Sequence, residues 1–387
     1  MLCDKPEPDP PPVIYWTEAD QPCSALWRSE SGLAPPKRVV IADDRISADA
    51  AYRLACEGTG MLWRGDFQNA RQLLQALARR VDRKPDRRLK SASGPLELFH
   101  WHRQAQSQRA RTLAMLLLPF AEEHHLPLRR APDLRQACEE AYGSGAVPYV
   151  VALREVLGLI GAREWRKKGI EIPVLGGRIH PHYGVFAPIR SEYLELLAAA
   201  PLPPALGGLS LAFDIGTGTG VLAALLARRG IARIVATDLD ARALVCAREN
   251  IERLGLDARV AVLQADLFPP GRAPLVVCNP PWVPARPSSP LERAIFDPQS
   301  AMLLGFLNGL AEHLTPDGEG WLILSDLAEH LGLRSRADLL AAFAEAGLKV
   351  LGRMEARPHH PRASATEDPL HAARAAEQTS LWRLGLR

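Results

Sequence analysis

The sequence predicts an α/β protein in which a mainly helical N-terminal region precedes a seven-stranded, mostly parallel sheet. From residue 209 onward, short apolar runs alternate with amphipathic stretches, and this alternation is typical of parallel strands joined by helices. The first run leads into a glycine-rich turn that opens a helix. The predicted strands are 210–215, 232–237, 259–264, 273–279, 319–325, 347–353 and 379–384. The predicted helices among them are 219–229, 240–254, 296–314 and 335–346.

The region before this sheet has a different pattern. Residues 1–36 are rich in proline, which predicts a disordered leader. Within residues 66–81, apolar side chains recur at three- and four-residue steps, which predicts an amphipathic helix with Asp66 as its N-cap. We therefore expect residues 37–165 to form a mainly helical domain that recognises the substrate. Its further helices are expected at 97–122, 132–142 and 147–160.

Residues 166–208 are expected to link the two domains. Short apolar pieces surround Gly176 and Gly177, and this spacing predicts a β-hairpin with a tight turn. A helix is expected to follow the hairpin. Residues 209–387 then form the domain that contains the sheet.

Composition and charge exclude several classes of protein. Of the 387 residues, 47% are hydrophobic and 24% are charged, which is typical of soluble globular proteins. The longest apolar runs fall short of the roughly 18 to 20 residues that a membrane-spanning helix needs. The six cysteines lie far apart in the sequence, which favours reduced thiols and argues against a metal site. We therefore expect a cytoplasmic protein with no membrane partner, and we expect a monomer.

Polar residues follow the predicted strands at their carboxyl ends, where α/β sheets bind ligands. After the first strand, Asp214 precedes Gly216, Gly218 and Gly220 in the stretch F-D-I-G-T-G-T-G. Glycines permit a sharp turn and a close approach to a ligand, and the following helix offers free amides. A dinucleotide fingerprint needs a third glycine at the position of Val221, so a nicotinamide cofactor is disfavoured.

The next two predicted strands lead into acidic residues. Asp238 lies at the end of the second strand, where its carboxylate could accept hydrogen bonds from the two hydroxyls of a ribose. Asp266 follows the third strand and could accept from the amino group of an adenine, while Leu267 packs on the ring. Each acid alone could be a helix cap or a turn residue. Glycine turn and acids in this order favour a nucleoside site.

The fourth predicted strand ends in V-C-N-P-P-W, residues 277–282. An amide or aniline-like nitrogen is a weak nucleophile because its lone pair is delocalised. Asn279 through its side-chain oxygen and Pro280 through its main-chain carbonyl could accept the two N–H groups of such a nitrogen. Pro281 adds stiffness, which preserves the orientation of these acceptors. Trp282 offers a flat wall on which an amide or a base can stack.

In this order, the motifs resemble those of the class I S-adenosylmethionine-dependent methyltransferases over residues 175–387. The resemblance implies a Rossmann-like fold, S-adenosyl-L-methionine as the cofactor, and residues 209–387 as the catalytic domain that binds it. The motif N-P-P-[YFW] marks the branch that methylates planar nitrogens, which are glutamine amides of release factors and ribosomal proteins or exocyclic amines of adenine and guanine. The implied donor-binding residues are Asp214, Gly216, Thr217, Gly218, Gly220, Asp238, Asp266, Leu267 and Asn279. The implied catalytic residues are Asn279, Pro280, Pro281 and Trp282.

One further stretch is similar to a family element. A-P-I-R-S-E-Y-L-E-L-L, residues 187–197, loosely resembles the P-R-x-x-T-E element that precedes the glycine turn in the glutamine methyltransferases. The interpretation that we favour is a helix start with Ser191 as its cap.

Three functions remain open at this point. Residues 64–111 contain twelve Lys and Arg residues and only four acidic ones, and the segment F-H-W-H-R lies within them at 99–103. These features favour an exocyclic amine of rRNA or tRNA, which is the substrate that we expect first. A helical domain ahead of the catalytic domain resembles the release-factor enzymes and favours a glutamine in a translation-related protein. A non-catalytic RNA-binding module is the third function, and the intact glycine turn and N-P-P-W motif argue against it.

Overall fold

The computed structural model describes residues 11–83, 87–288, 291–358 and 368–387 of the chain. The residues fall into two compact units. The first unit comprises residues 103–161 and the described part of 1–87, and the second comprises 88–102 and the described part of 162–387.

The first unit is built on a mixed sheet. Its strands are β1 (Val13–Glu18), β2 (Gln21–Arg28), β3 (Arg38–Ala42), β4 (Thr59–Trp63), β5 (Leu116–Phe120) and β6 (Tyr149–Ala152). In the described residues these strands are ordered β1-β2-β6-β5-β4-β3. The helices of this part of the chain are α1 (Ala48–Cys56), α2 (Phe67–Asp82), α3 (Pro95–Leu113), α4 (Arg135–Tyr142) and α5 (Leu153–Lys168). Helices α3 and α5 each have residues in both units.

The prediction of a mainly helical domain at 37–165 missed strands β3 to β6, which lie in this range and belong to the mixed sheet. Strands β4, β5 and β6 are short apolar runs in which every residue is buried. Such runs have no period that distinguishes a strand from a buried helix. The helix predicted at 97–122 therefore ends at Leu113, before β5, and the helix predicted at 147–160 begins only after β6. The helix with Asp66 as its N-cap is confirmed as α2, since the Asp66 carboxylate accepts from the Gln68 amide.

The prediction of a disordered leader is wrong for the residues that the structure describes. Strands β1 and β2 form an antiparallel hairpin within the predicted leader. Ile14 and Trp27 from these strands are buried in one cluster with Leu62, Leu117 and Val150. The proline content predicted disorder, but the segment also contains these apolar residues, and their burial stabilises the hairpin. Residues 1–10 of the predicted leader lie outside the described residues.

The second unit contains the predicted hairpin. Strands β7 (Ile170–Ile172) and β8 (Gly177–Ile179) pair antiparallel, and α6 (Glu192–Ala199) follows. The turn is longer than the predicted two residues, because a short 3₁₀ helix at Pro173–Leu175 precedes Gly176. Gly176 has a φ of +65°, which glycine adopts without strain.

The sheet predicted for the C-terminal part is confirmed. Its strands are β9 (Leu211–Ile215), β10 (Arg233–Asp238), β11 (Val260–Gln264), β12 (Ala273–Cys278), β13 (Leu314–Ser325), β14 (Leu348–Ala356) and β15 (Thr379–Leu386). Within the described ranges the sheet has seven strands in the order β11-β10-β9-β12-β13-β15-β14. Strand β15 is antiparallel to both of its neighbours, and the pairs from β11 to β13 are parallel.

Helices cover both faces of this sheet. The helices in this part of the chain are α7 (Val221–Arg228), α8 (Ala241–Arg253), α9 (Ala301–His313), α10 (Leu327–His330), α11 (Arg336–Glu345) and α12 (His371–Ala376). In β12, Leu275 and Val277 belong to the apolar cluster that contains α7, whereas Val276 and Cys278 belong to the cluster that contains α9. This alternation follows from the period of two in a strand. In the described ranges, we find no helix with the length and apolar character of a membrane span.

Candidate active site

The residues predicted to form the site lie at the carboxyl edge of the seven-stranded sheet, after β9, β10, β11 and β12. Strands β9 and β12 are adjacent and parallel. The helix after β9 packs on one face of the sheet and the helix after β12 packs on the other. Such a switch point leaves a crevice outside the strand ends, and ligands of α/β proteins bind there.

The glycine turn between β9 and α7 requires glycine at three positions. Gly216, Gly218 and Gly220 have φ values of +69°, +56° and +81°, a region that side chains rarely permit. A side chain at Gly218 would meet no atom of the described residues within 4 Å, so the space beside its backbone is open. The Thr217 amide donates to the carbonyl of Thr237 at 2.8 Å, which ties the turn to β10. The turn therefore presents bare backbone at the edge of the sheet.

Asp214 is buried beneath this turn. Its Oδ2 accepts from the Thr217 hydroxyl at 2.6 Å and from the Ala223 amide at 3.1 Å. Its Oδ1 is also buried and accepts no hydrogen bond from the described residues. Burial raises the pKa of the Asp214 carboxyl to about 7. A buried acceptor without a donor is uncommon in folded proteins and marks a position that suits a polar ligand group.

Replacing Asp214 with Asn is expected to change how stability depends on pH. The folded chain keeps the Asp214 proton up to a pH of about 7, whereas the unfolded chain releases it near a pH of about 4. Between these values the folded state binds more protons, so this group's contribution to stability falls as pH rises. We expect the unfolding free energy of the wild type, relative to the Asn variant, to decrease from about pH 4.5 to about pH 7.5. Urea unfolding of both proteins across this pH range measures the difference between their unfolding free energies. A difference that does not change with pH would contradict the raised pKa of Asp214.

Asp238 lies beside the glycine turn. Its two carboxylate oxygens accept from the amides of Gly218 at 2.9 Å and Asp240 at 3.0 Å. Burial raises its pKa. Each carboxylate oxygen has a second lone pair, so Asp238 retains acceptor capacity for a ligand. The structure therefore brings the acid after β10 together with the turn after β9.

Asp266 and Leu267 follow β11. Asp266 is exposed and Leu267 is half-buried. Leu267 has a φ of +67°, which is a strained conformation for a residue with a side chain. Its carbonyl accepts from the Thr237 hydroxyl at 2.5 Å, which holds this segment against β10. Strained residues of this kind concentrate at binding sites, in agreement with the position of Leu267 at the carboxyl edge.

The N-P-P-W motif follows β12 directly. The indole N–H of Trp282 donates to Oδ1 of Asn279 at 2.8 Å. The indole N–H is only a donor, so this contact identifies which end of the Asn279 amide faces Trp282. Asn279 is partly exposed, and its oxygen keeps a second lone pair for another donor. Pro280 is buried and Pro281 is half-buried, so the corner is embedded in the fold.

Arg190 contacts this motif, which the sequence did not predict. Its guanidinium lies 4.8 Å from the centroid of the Trp282 ring. Ser191 precedes α6 as predicted, but in the described structure its side chain makes no cap bond and donates to Glu195 instead, at 3.0 Å. The loose similarity to P-R-x-x-T-E was the signal that could have indicated Arg190.

The arrangement suits a nucleoside with a charged tail. Bare glycine backbone, the unpartnered Asp214 oxygen and the carboxylates of Asp238 and Asp266 provide both donors and acceptors along one sheet edge. Asn279 adds a rigidly held acceptor at the next strand end. These residues fit S-adenosylmethionine, whose ribose and adenine are polar and whose amino acid tail is charged.

Comparison with known proteins agrees with this geometry. Residues 178–345 match the family described as "Methyltransferase small domain". The release factor glutamine methyltransferase of Cereibacter sphaeroides is 32% identical over 182 residues, which are 43% of this chain and 63% of that protein. The ribosomal protein L11 methyltransferase of Pelotomaculum thermopropionicum is 48% identical over 69 residues, 17% of this chain and 22% of that protein. The ribosomal protein uL3 glutamine methyltransferase of Bordetella pertussis is 36% identical over 114 residues, 28% and 38% of the two proteins.

The matched segments therefore span less than two thirds of the length of each of these relatives. Residues 178–345, which the family model matches, include the glycine turn and the N-P-P-W corner. The second unit thus has the Rossmann-like fold expected from the sequence, and over residues 178–345 it is similar to the methyltransferase small domain.

Proposed function

We propose that this protein transfers a methyl group from S-adenosylmethionine to the side-chain amide of a glutamine in a translation-related protein. The observation that carries the proposal is the position of Asn279. It lies at the end of β12, next to the strand that leads into the glycine turn, with its oxygen held by Trp282 and one lone pair left. A planar nitrogen that donates to this oxygen would lie beside the donor site.

The donor would be bound along the strand ends in the order of the chain. Asp214, Thr217 and the glycine turn would hold the methionine part, whose charged amino group suits the unpartnered Asp214 oxygen. Asp238 would accept from the ribose hydroxyls, and Asp266 and Leu267 would contact the adenine. The bound donor supplies a methyl group activated by its sulfonium.

The remaining residues would prepare the nitrogen that attacks. An amide nitrogen shares its lone pair with the carbonyl, so the attack requires the nitrogen to be oriented and its developing positive charge to be stabilised. As the bond from the nitrogen to the methyl carbon forms, the bond from that carbon to sulfur would break and S-adenosylhomocysteine would leave. The methylated nitrogen would then release one proton to solvent. The Asn279 oxygen and the Pro280 carbonyl would accept the two N–H groups, which become stronger donors as charge develops. Because these acceptors lie on a stiff corner, little reorganisation is needed during the reaction.

Two observations favour a protein substrate over RNA. Relatives named for glutamine methylation, of a release factor and of ribosomal protein uL3, are 32% and 36% identical to this chain over 182 and 114 residues. Three cations of the basic region that suggested RNA have carboxylate partners within the first unit: Arg64 pairs with Glu18, Arg80 with Asp49 and Arg109 with Asp82, at 2.6, 2.8 and 2.8 Å. Residues 84–86 of that region lie outside the described residues. Cations with carboxylate partners are less available to phosphates.

The substrate class can be tested with a methyl donor labelled in its methyl group. We expect purified protein to label protein in an extract from a strain that lacks this chain, and peptide mass spectrometry should place the methyl group on a glutamine amide. Total RNA from the same strain is the parallel substrate. The variant Asn279→Ala, which keeps the donor site, controls for contaminating activities. Label confined to RNA would contradict the glutamine proposal and support the exocyclic amine instead.

A further inference from the structure

We infer that Arg190 is a positioning residue for the N-P-P-W corner: it fixes the indole of Trp282 and, through that indole, the acceptor oxygen of Asn279. The inference rests on the proposed function for its catalytic consequence, but the positioning itself is a property of the folded chain. Two contacts support the inference: the cation–π contact between Arg190 and Trp282, and the hydrogen bond from Trp282 to Asn279.

The Arg190 guanidinium is held by acceptors from separate parts of the second unit. Its Nε donates to Glu192 at 2.5 Å, one terminal nitrogen donates to Glu377 at 3.0 Å, and the other donates to the Thr379 hydroxyl at 3.3 Å. The side chains of Glu192 and Glu377 are only 1% and 4% exposed. Charge-assisted bonds to buried carboxylates orient a guanidinium strongly. Its plane is therefore set by α6 and by the start of β15.

The carboxylate of Glu377 is itself anchored. It accepts from the Ser325 hydroxyl at 2.6 Å, and the same hydroxyl oxygen accepts from the Leu327 amide at 3.0 Å. Ser325 is buried at the end of β13, opposite Thr379 in the antiparallel pair with β15. The network thus connects the guanidinium to two sheet strands, which are more rigid than a loop.

A guanidinium bound at its edges by acceptors leaves its flat face available. In this structure the Arg190 Cζ lies over the Trp282 ring, 4.8 Å from its centroid, a distance typical of a cation–π contact. The indole N–H in turn reaches Oδ1 of Asn279, so rotation of the indole would break that bond. Arg190 therefore acts on the Asn279 oxygen without touching it, in the way that outer residues orient the ligands of a reactive centre.

A purely structural role would be the neutralisation of two buried carboxylates by Arg190. In that case, removing Arg190 would lower stability but leave the indole environment and the turnover of the folded protein unchanged. Lysine at position 190 distinguishes the roles, because it keeps a cation near Glu192 and Glu377 but has no planar face for the indole. Arg190→Gln is the second variant, and the lysine variant keeps the test possible if Arg190→Gln does not fold.

The test uses fluorine NMR of the full chain labelled with 5-fluorotryptophan. The chain has eight tryptophans, and Trp282→Phe identifies the resonance of Trp282. We expect Arg190→Lys and Arg190→Gln to shift or broaden that resonance. We also expect kcat to fall about 10- to 100-fold while the affinity for S-adenosylmethionine stays within about two-fold, because misplacement of a reacting group by about 1 Å can cost about 100-fold.

Arg383→Lys is the matched control. Arg383 lies on β15, the strand that supplies Thr379 to Arg190, and it too pairs with a buried carboxylate, that of Glu319, at 2.6 Å. This variant should lower the melting temperature but leave the Trp282 resonance and kcat unchanged. An unaltered Trp282 resonance in both Arg190 variants would overturn the inference. If the wild type methylates no glutamine, the proposed function fails, and the NMR comparison still decides whether Arg190 positions Trp282.

Discussion

Asn279→Ala is expected to lower kcat by about 100- to 1,000-fold, the range observed when one polar group that stabilises developing charge is removed from an active site. Asn279 follows β12 directly, and its oxygen keeps one lone pair beyond the bond from Trp282. Alanine removes the acceptor, so the attacking nitrogen would lose both its orientation and the stabilisation of its charge. Steady-state turnover with a glutamine-containing protein substrate measures the effect.

The affinity for the methyl donor distinguishes a loss of turnover caused by the missing acceptor from one caused by a disturbed fold or donor site. The proposed contacts of S-adenosylmethionine lie mainly on the glycine turn, Asp238 and the segment after β11, so titration calorimetry should give an affinity for Asn279→Ala within about two-fold of the wild type. Asn69→Ala, an asparagine of α2 in the first unit, is the control and should leave kcat unchanged. Wild-type turnover by Asn279→Ala would show that Asn279 has no role in catalysis.

Asp238→Ala is expected to weaken binding of S-adenosylmethionine by about 150-fold to about 25,000-fold. Two hydrogen bonds from ribose hydroxyls to a carboxylate contribute about 1.5 to 3 kcal/mol each, and this range follows from their sum. Removal of the carboxylate also leaves the Gly218 amide, which donates to it at 2.9 Å, without this acceptor and so loosens the glycine turn. Titration calorimetry with the donor measures the change.

Asp240→Ala is the matched control for this prediction. Asp240 is exposed, two residues further along the chain, and accepts from the Arg242 amide at 2.8 Å as the N-cap of α8. Its loss should cost about 1 kcal/mol of stability and leave the donor affinity unchanged. Equal losses of affinity in both variants would show that the effect comes from disturbing the start of α8 and not from the ribose contact.

The two units differ in how far their folds could be predicted. In the second unit, buried strands such as β10 and β12 are separated by amphipathic helices, so the change of period marks each boundary. In the first unit, only two residues separate the end of α3 from the start of β5, and β6 is followed by α5 without an intervening loop. Apolar strands fused to helices in this way read as continuations of the helical pattern.

The site could be predicted where its residues follow strands directly. Asp214, Asp238 and Asn279 each lie at or next to the end of an apolar run, and parallel strands bring these ends to one edge. Arg190 could not be placed in the same way, because its partner Glu377 is 187 positions away in the sequence. The bond from Trp282 to Asn279 depends on a side-chain rotamer, which no spacing encodes.

The central claim is that the donor lies along the carboxyl edge of the seven-stranded sheet with its sulfur directed at the N-P-P-W corner. A crystal structure of the chain with S-adenosylhomocysteine tests this most directly. We predict ribose hydroxyls within hydrogen-bonding distance of Asp238, the adenine beside Leu267, and the sulfur facing Asn279. A nucleoside bound away from Asp238, or a sulfur directed away from Asn279, would contradict the account.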